Sequence, residues 1–201
     1  MRSEFKNKVE WVTIEPGEYF TSNEKIIIST LLGSCVSACL WDPVHKIAGM
    51  NHFLLSSKRY KKNNPVCVSE AGRYGVHAME LVINDMLQLG ASRKYLNAKV
   101  FGGGNVLNGT VSDSNFFCVG DINIRFIKEF LDTEKIPIIS SDLGGDNGRI
   151  VRFDTNTYNV FIRKIRKTDA MPIENRDLNF WKKSLKEQEV EEASNKNVDL
   201  W

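Results

Sequence analysis

Thr30-Leu31-Leu32-Gly33-Ser34-Cys35 runs straight into Val36-Ser37-Ala38-Cys39-Leu40-Trp41 and, past one turn, into Ile47-Ala48-Gly49-Met50-Asn51-His52-Phe53. A β-prone run that begins at Ile26-Ile27-Ile28 ends at the Gly33-Ser34 pair, a cysteine follows at once, and a second β-prone run starts. Glycine takes backbone angles that other residues avoid, so a bend at Gly33 is expected, with Cys35 at its exit. Between the second and third runs lies Asp42-Pro43-Val44-His45, where aspartate suits the first and proline the second position of a turn. A turn centred between Pro43 and Val44 closes an antiparallel hairpin that pairs Trp41 with Lys46 and Cys35 with His52. Directly opposite residues share a face, with Cβ atoms roughly 4.5–5.5 Å apart.

A thiol facing an imidazole is the arrangement that cysteine nucleophiles require. A free thiol has a pKa of about 8.5 and is only slightly ionised at neutral pH, so it needs a neighbouring base to take its proton. A third group must orient the imidazole, and the hydroxyls of Ser29 and Thr30, just upstream of the corner, are the local candidates. The competing assignment is structural, because free cysteine is among the most buried residue types and packs as a small hydrophobe. Cys39, inside the second run, fits that role; Cys35, at the Gly-Ser corner, fits the reactive one.

Leu32-Gly33-Ser34-Cys35-Val36, the Asp42-Pro43 turn and Gly49-Met50-Asn51-His52-Phe53 resemble the signature of CheD, the bacterial chemoreceptor glutamine deamidase family. The resemblance continues through Arg73-Tyr74-Gly75, Ala98-Lys99-Val100-Phe101-Gly102-Gly103-Gly104 and Ser141-Asp142-Leu143-Gly144-Gly145, covering most of residues 12–166. It implies a catalytic triad of Cys, His and Thr, in which Cys35 and His52 occupy the matching positions and the hydroxyl is that of Thr30 or Ser29. It also implies substrate contacts from Arg73, Tyr74, Phe101 and Gly102. Backbone N–H groups around Ser34 and Cys35 are the nearest donors for an oxyanion. The fold implied is α/β (α+β): a compact layered sandwich of mostly antiparallel sheet with two main helices, like the catalytic domain of deamidating bacterial toxins. The implied substrates are glutamine side chains of methyl-accepting chemotaxis receptors, the implied partner a CheC-like phosphatase. Two other functions share these residues. A Cys-His peptidase or transglutaminase-like enzyme would use the same nucleophile, and a non-catalytic adaptor would use the same pocket to bind a receptor or phosphatase.

The remainder of the chain limits the alternatives. Its 201 residues, 42% apolar, suffice for one substantial core. The 27 Lys and Arg against 25 Asp and Glu leave a net charge of +2, with no basic run interleaved with aromatics, so nucleic acid is not an expected partner. No apolar stretch reaches the roughly 20 residues of a membrane span, and Met1-Arg2-Ser3-Glu4-Phe5-Lys6 has no signal-peptide core, so a cytoplasmic protein without membrane insertion is expected. In that compartment Cys35, Cys39, Cys67 and Cys118 are expected as thiols. A zinc site from Cys35, Cys39, His45 and His52 lacks a Cys-x2-Cys pair, so no metal is expected. The Gly102-Gly103-Gly104 run fits neither phosphate-binding pattern, and no cofactor is called for; close backbone packing beside the site accounts for the glycines.

Residues 9–14 alternate as an edge strand that ends in the turn Glu15-Pro16-Gly17-Glu18, and Tyr19-Phe20 adds sheet. The polar, basic run Ser56–Pro65 reads first as a solvated connection, the functional alternative being a loop that flanks the site entrance and contacts acidic or polar surface on a protein substrate. From Gly72 to Leu89, Val76, Met79, Ile83, Met86 and Leu87 make one helical stripe, with Gly90 as its stop and His77 off the stripe. A second helix is expected from an Asp121 cap through Leu131. Ile136–Ser140 and a closing hairpin of residues 150–153 and 158–165 complete the sheet. These elements form one domain over residues 1–166. Residues 167–201 read as a charged tail, partly disordered or docking, with a weakly amphipathic stretch from Asp177 to Glu192.

Overall fold

The computed structural model describes residues 1–55, 66–67, 69–105, 119–166, 169 and 171–196. The Ser56–Pro65 loop and Cys118 fall outside the described residues. Two five-stranded sheets and the helices form three layers. The first sheet contains β1 (Arg2–Lys6), β2 (Val9–Thr13), β4 (Ile26–Leu32), β9 (Gly148–Asp154) and β10 (Val160–Ile165), in the order β1-β2-β4-β9-β10. The second contains β3 (Tyr19–Ser22), β5 (Val36–Asp42), β6 (Ile47–Asn51), β7 (Asn97–Gly102) and β8 (Ile138–Leu143), ordered β3-β6-β5-β7-β8. Only β2–β4 and β7–β8 pair in parallel, so the α+β class with mostly antiparallel sheet holds.

Alternation along the strands builds both interiors. Ile26, Ile28, Thr30 and Leu32 point inward from β4 while Ile27, Ser29 and Leu31 are half-buried on its other face. On β5, Cys39 and Trp41 join Met50, Val12, Ile14, Phe153 and Cys35 in the core between the sheets. The intervening Val36, Ala38 and Leu40 face α1 (Glu70–Gln88) and α2 (Val119–Thr133), together with Met79, Ile83, Phe126 and Ile127. β5 is therefore buried along its whole length, as a central strand covered on both faces must be.

Several boundaries differ from expectation. β2 is not an edge strand, because the fully exposed β1, which carries no apolar alternation to announce it, pairs outside it. Helix α1 is capped by the Ser69 side chain, which accepts from Gly72 N–H at 3.0 Å, and it ends in a Schellman pair, Ala91 N–H to Met86 O and Gly90 N–H to Leu87 O, both at 3.0 Å. α2 begins at Val119, so Asp121 lies in its first turn, where a negative charge favours the helix dipole, and does not cap it. A third helix, α3 (Met171–Lys196), joins the two expected ones. Its apolar residues are too sparse to form a stripe, and it is held by docking. Among the described residues no helix is long and apolar enough to cross a membrane.

Candidate active site

The first sheet passes to the second through Gly33-Ser34-Cys35, between β4 and β5. Gly33 is not in the left-handed region; the positive angles belong to Gly102 (φ +114°) and Gly103 (φ +65°), at the end of the neighbouring strand β7. That glycine run braces the corner: Gly103 N–H donates to Cys35 O at 2.7 Å and Gly104 N–H to Gly33 O at 2.8 Å. A Cβ on Gly102 would collide with the Cys35 carbonyl oxygen and the Val36 Cα. Close backbone packing thus explains these glycines, and Phe101 beside them is a buried core residue.

The hairpin register differs from the expected one. Asp42 Oδ1 accepts from Val44 N–H (2.8 Å) and His45 N–H (3.1 Å), and Lys46 adopts φ +59°, so the loop spans four residues and Asp42 pairs with Ile47. Val36 bridges Phe53 instead, which places Ser37 across from His52 and Cys35 across from Leu54. The error is two residues, an even number. Side chains alternate with period two, so Cys35 stays on the face of His52, diagonal to it.

His52 is 1% exposed, and its backbone is pinned by Gly17 N–H donating to His52 O (2.8 Å) and His52 N–H donating to Glu18 O (2.9 Å). Its Nδ1 lies 2.7 Å from Thr30 Oγ1, and Thr30 Oγ1 lies 2.7 Å from Ile14 O. The hydroxyl has one proton and a carbonyl only accepts. The consistent assignment is Nδ1–H to Oγ1 and Oγ1–H to Ile14 O, which puts the neutral imidazole's lone pair on Nε2. That Nε2 is buried without a hydrogen-bond partner among the described residues. Ser29, on the other face of β4, is not the imidazole's partner.

Other polar side chains also hold the corner. Asn123, fully buried on α2, donates from Nδ2 to Ser34 O at 2.9 Å and accepts from Leu55 N–H through Oδ1 at 2.8 Å. Asn51 Oδ1 accepts from Ala38 N–H at 2.9 Å, tying β6 to β5. Asp177 Oδ2, from α3, accepts from Ser34 N–H (2.9 Å) and Ser34 Oγ–H (3.1 Å). Sequence reading missed both Asn123, whose signal is a polar residue beside Ile122 on an apolar helix stripe, and Asp177, which left none in the charged tail. A cleft with His52 in its wall is lined by Gly17, Tyr74, His77 and Leu81, and by Phe180 and Ser184 of α3. Tyr74 therefore reaches the cleft, while Arg73, in the first turn of α1, is exposed beside it.

Burial, then the Asp177 carboxylate, pushes the Cys35 thiol well above its ordinary value. Burial, then the Arg176 guanidinium, holds His52 well below its ordinary 6.5. Both groups are neutral near pH 7 in this arrangement.

The family model for CheD chemotactic sensory transduction matches residues 54–164. The chain is 49% identical over 190 residues to the probable chemoreceptor glutamine deamidase CheD 1 of Geobacter sulfurreducens, an overlap covering 94% of this chain and 93% of that one. It is 50% identical over 151 residues to the probable chemoreceptor glutamine deamidase CheD 2 of Shewanella oneidensis, covering 75% and 74%. It is 42% identical over 175 residues to the probable chemoreceptor glutamine deamidase CheD of Methylobacillus flagellatus, covering 87% and 83%.

Proposed function

The chain belongs to the CheD family, and from that premise we propose that it is a protein-glutamine deamidase, converting glutamine side chains of chemotaxis receptors to glutamate through a Cys35 thioester. The observation that carries this is the chain Nδ1–H to Thr30 Oγ1 to Ile14 O, which leaves Nε2 of His52 without a partner among the described residues, on the sheet face that Cys35 shares. His52 Nε2 takes the thiol proton, and Cys35 Sγ attacks the carboxamide carbon. The oxyanion accepts from Ser34 and Cys35 N–H. The imidazolium returns its proton to the departing ammonia, and His52 then activates a water that cleaves the thioester. The product is glutamate with Cys35 regenerated, so neither cofactor nor metal enters the cycle. The catalytic unit is residues 1–166. It works in the cytoplasm, where its thiols stay reduced, with Tyr74 and Arg73 at the substrate's approach and a CheC-like phosphatase as partner.

Incubation with a receptor cytoplasmic fragment tests this by intact mass: each deamidated glutamine adds about one dalton and the fragment stays whole, as exchange of an amide for a carboxyl in an acyl transfer requires. Cleavage of the fragment, or a mass left unchanged both by freshly reduced wild type and by its Asp177→Ala variant, would remove the proposal. Thr30→Val is expected to cut kcat on the order of 10²-fold by losing imidazole orientation, whereas Ser29→Ala stays near wild type. Thr30→Ser, keeping the hydroxyl, is expected to recover most of the rate. A Ser29→Ala defect as large as that of Thr30→Val would move the orienting role to the other hydroxyl.

A further inference from the structure

The charged C-terminal segment buries residues where reactants would have to go. Asp177 is fully buried, and Ile173 and Trp181 are each 3% exposed. Withdrawing a carboxylate from water is costly unless its oxygens are satisfied, and here they are. Oδ2 accepts from Ser34 N–H and Oγ–H, while Oδ1 accepts from Arg176 Nη2 at 2.8 Å and Nε at 3.2 Å. Arg176 also donates to Leu31 O at 2.7 Å and lies 3.6 Å from Glu15. Two consecutive residues of α3 thus grip the chain on both sides of Gly33, at Leu31 and Ser34. The Ser34 N–H is also the donor assigned to the oxyanion, and a side-chain carboxylate bound to it has the form of the reaction's own product.

We propose that α3 is an autoinhibitory strap, with Asp177 standing in the position of the reacting carboxamide, so that the helix must lift before Cys35 can act. This rests on Cys35 being the nucleophile. The strap also disarms the pair it covers: burial, then the Asp177 charge, favours the protonated sulfur, and His52 Nε2 has no hydrogen-bond partner among the described residues. Cys35 is 0% exposed, so nothing reaches it with α3 in place. The helix is built to release. Its apolar anchors lie between Ile173 and Leu185, with Phe180 against Gly17 and Ile173 against Gly148, while much of its remaining surface is charged. Detaching so few side chains requires less than global unfolding.

The rate at which iodoacetamide alkylates Cys35, read by peptide mass in the full-length chain, tests this without requiring turnover. Asp177→Ala removes the grip on Ser34, and Trp181→Ala removes an apolar anchor. Each is expected to speed Cys35 alkylation about tenfold or more, with Cys39, buried on the same face of β5, unchanged. Cys35 rates equal to wild type in both variants would overturn the strap, as would parallel acceleration of Cys39, which marks general loosening. Faster Cys35 alkylation with no receptor glutamine converted by any form would keep the strap and remove the deamidase.

Discussion

Cys35→Ala is expected to abolish conversion of receptor glutamine, a loss of at least about 10³-fold. Without sulfur there is no thioester, and no other described thiol can substitute: Cys39 is fully buried in β5, and Cys67 lies at the turn before α1. The variant should fold, because one sulfur removed from the core between the sheets leaves a small cavity costing about 1–2 kcal/mol. Folded, inactive protein therefore isolates the chemistry. His52→Ala is expected to behave alike, since its Nε2, unpartnered among the described residues, is the base proposed to take the proton. Intact-mass time courses on a receptor fragment decide the matter, and a Cys35→Ala protein retaining a tenth of the wild-type rate would end the covalent mechanism.

Gly102→Ala is expected to lower both stability and activity, although the side chain added is a single methyl. The position has φ +114°, where an L side chain is strained by about 1–2 kcal/mol. The new Cβ also meets backbone, the Cys35 carbonyl and Val36 Cα, which cannot rotate aside. Together these give a loss of about 3 kcal/mol or more, or a fall in Tm of about 6–12 °C for a chain of this size. Because the displaced backbone carries Cys35, the proposed nucleophile, kcat should fall further than Tm alone explains. Thermal unfolding checks the first part, and a Tm within about 2 °C of wild type would show that the corner has room the packing denies it.

The two effects show how differently parts of this site were legible. Cys35 and His52 were readable because a Gly-Ser corner, a turn signal and two β-prone runs are local patterns, and the even register error left both on one face. The choice between Ser29 and Thr30 followed only once β4 was known to bury Ile26, Ile28, Thr30 and Leu32. Which face of a strand is buried depends on the sheet packed against it. The bracing glycines were readable as close packing, but the carbonyl they pack against was not.

Taken alone, the sequence determined the first two helices, most of the strands and the corner that puts Cys35 and His52 on one face, because alternation, helical spacing and turn chemistry act over a few residues; the layered α+β class came from the family resemblance, and its division into two sheets from the structure. The tertiary structure alone decided that Thr30 is the hydroxyl bonded to His52, that Asn123 ties the corner to Leu55, and that Asp177, 143 residues after Ser34, accepts from the Ser34 N–H. Contacts between residues so far apart leave no trace in local pattern. The Asp177 contact exists only when the hydrophobic burial of Ile173 and Trp181 has brought a charged helix against the sheets.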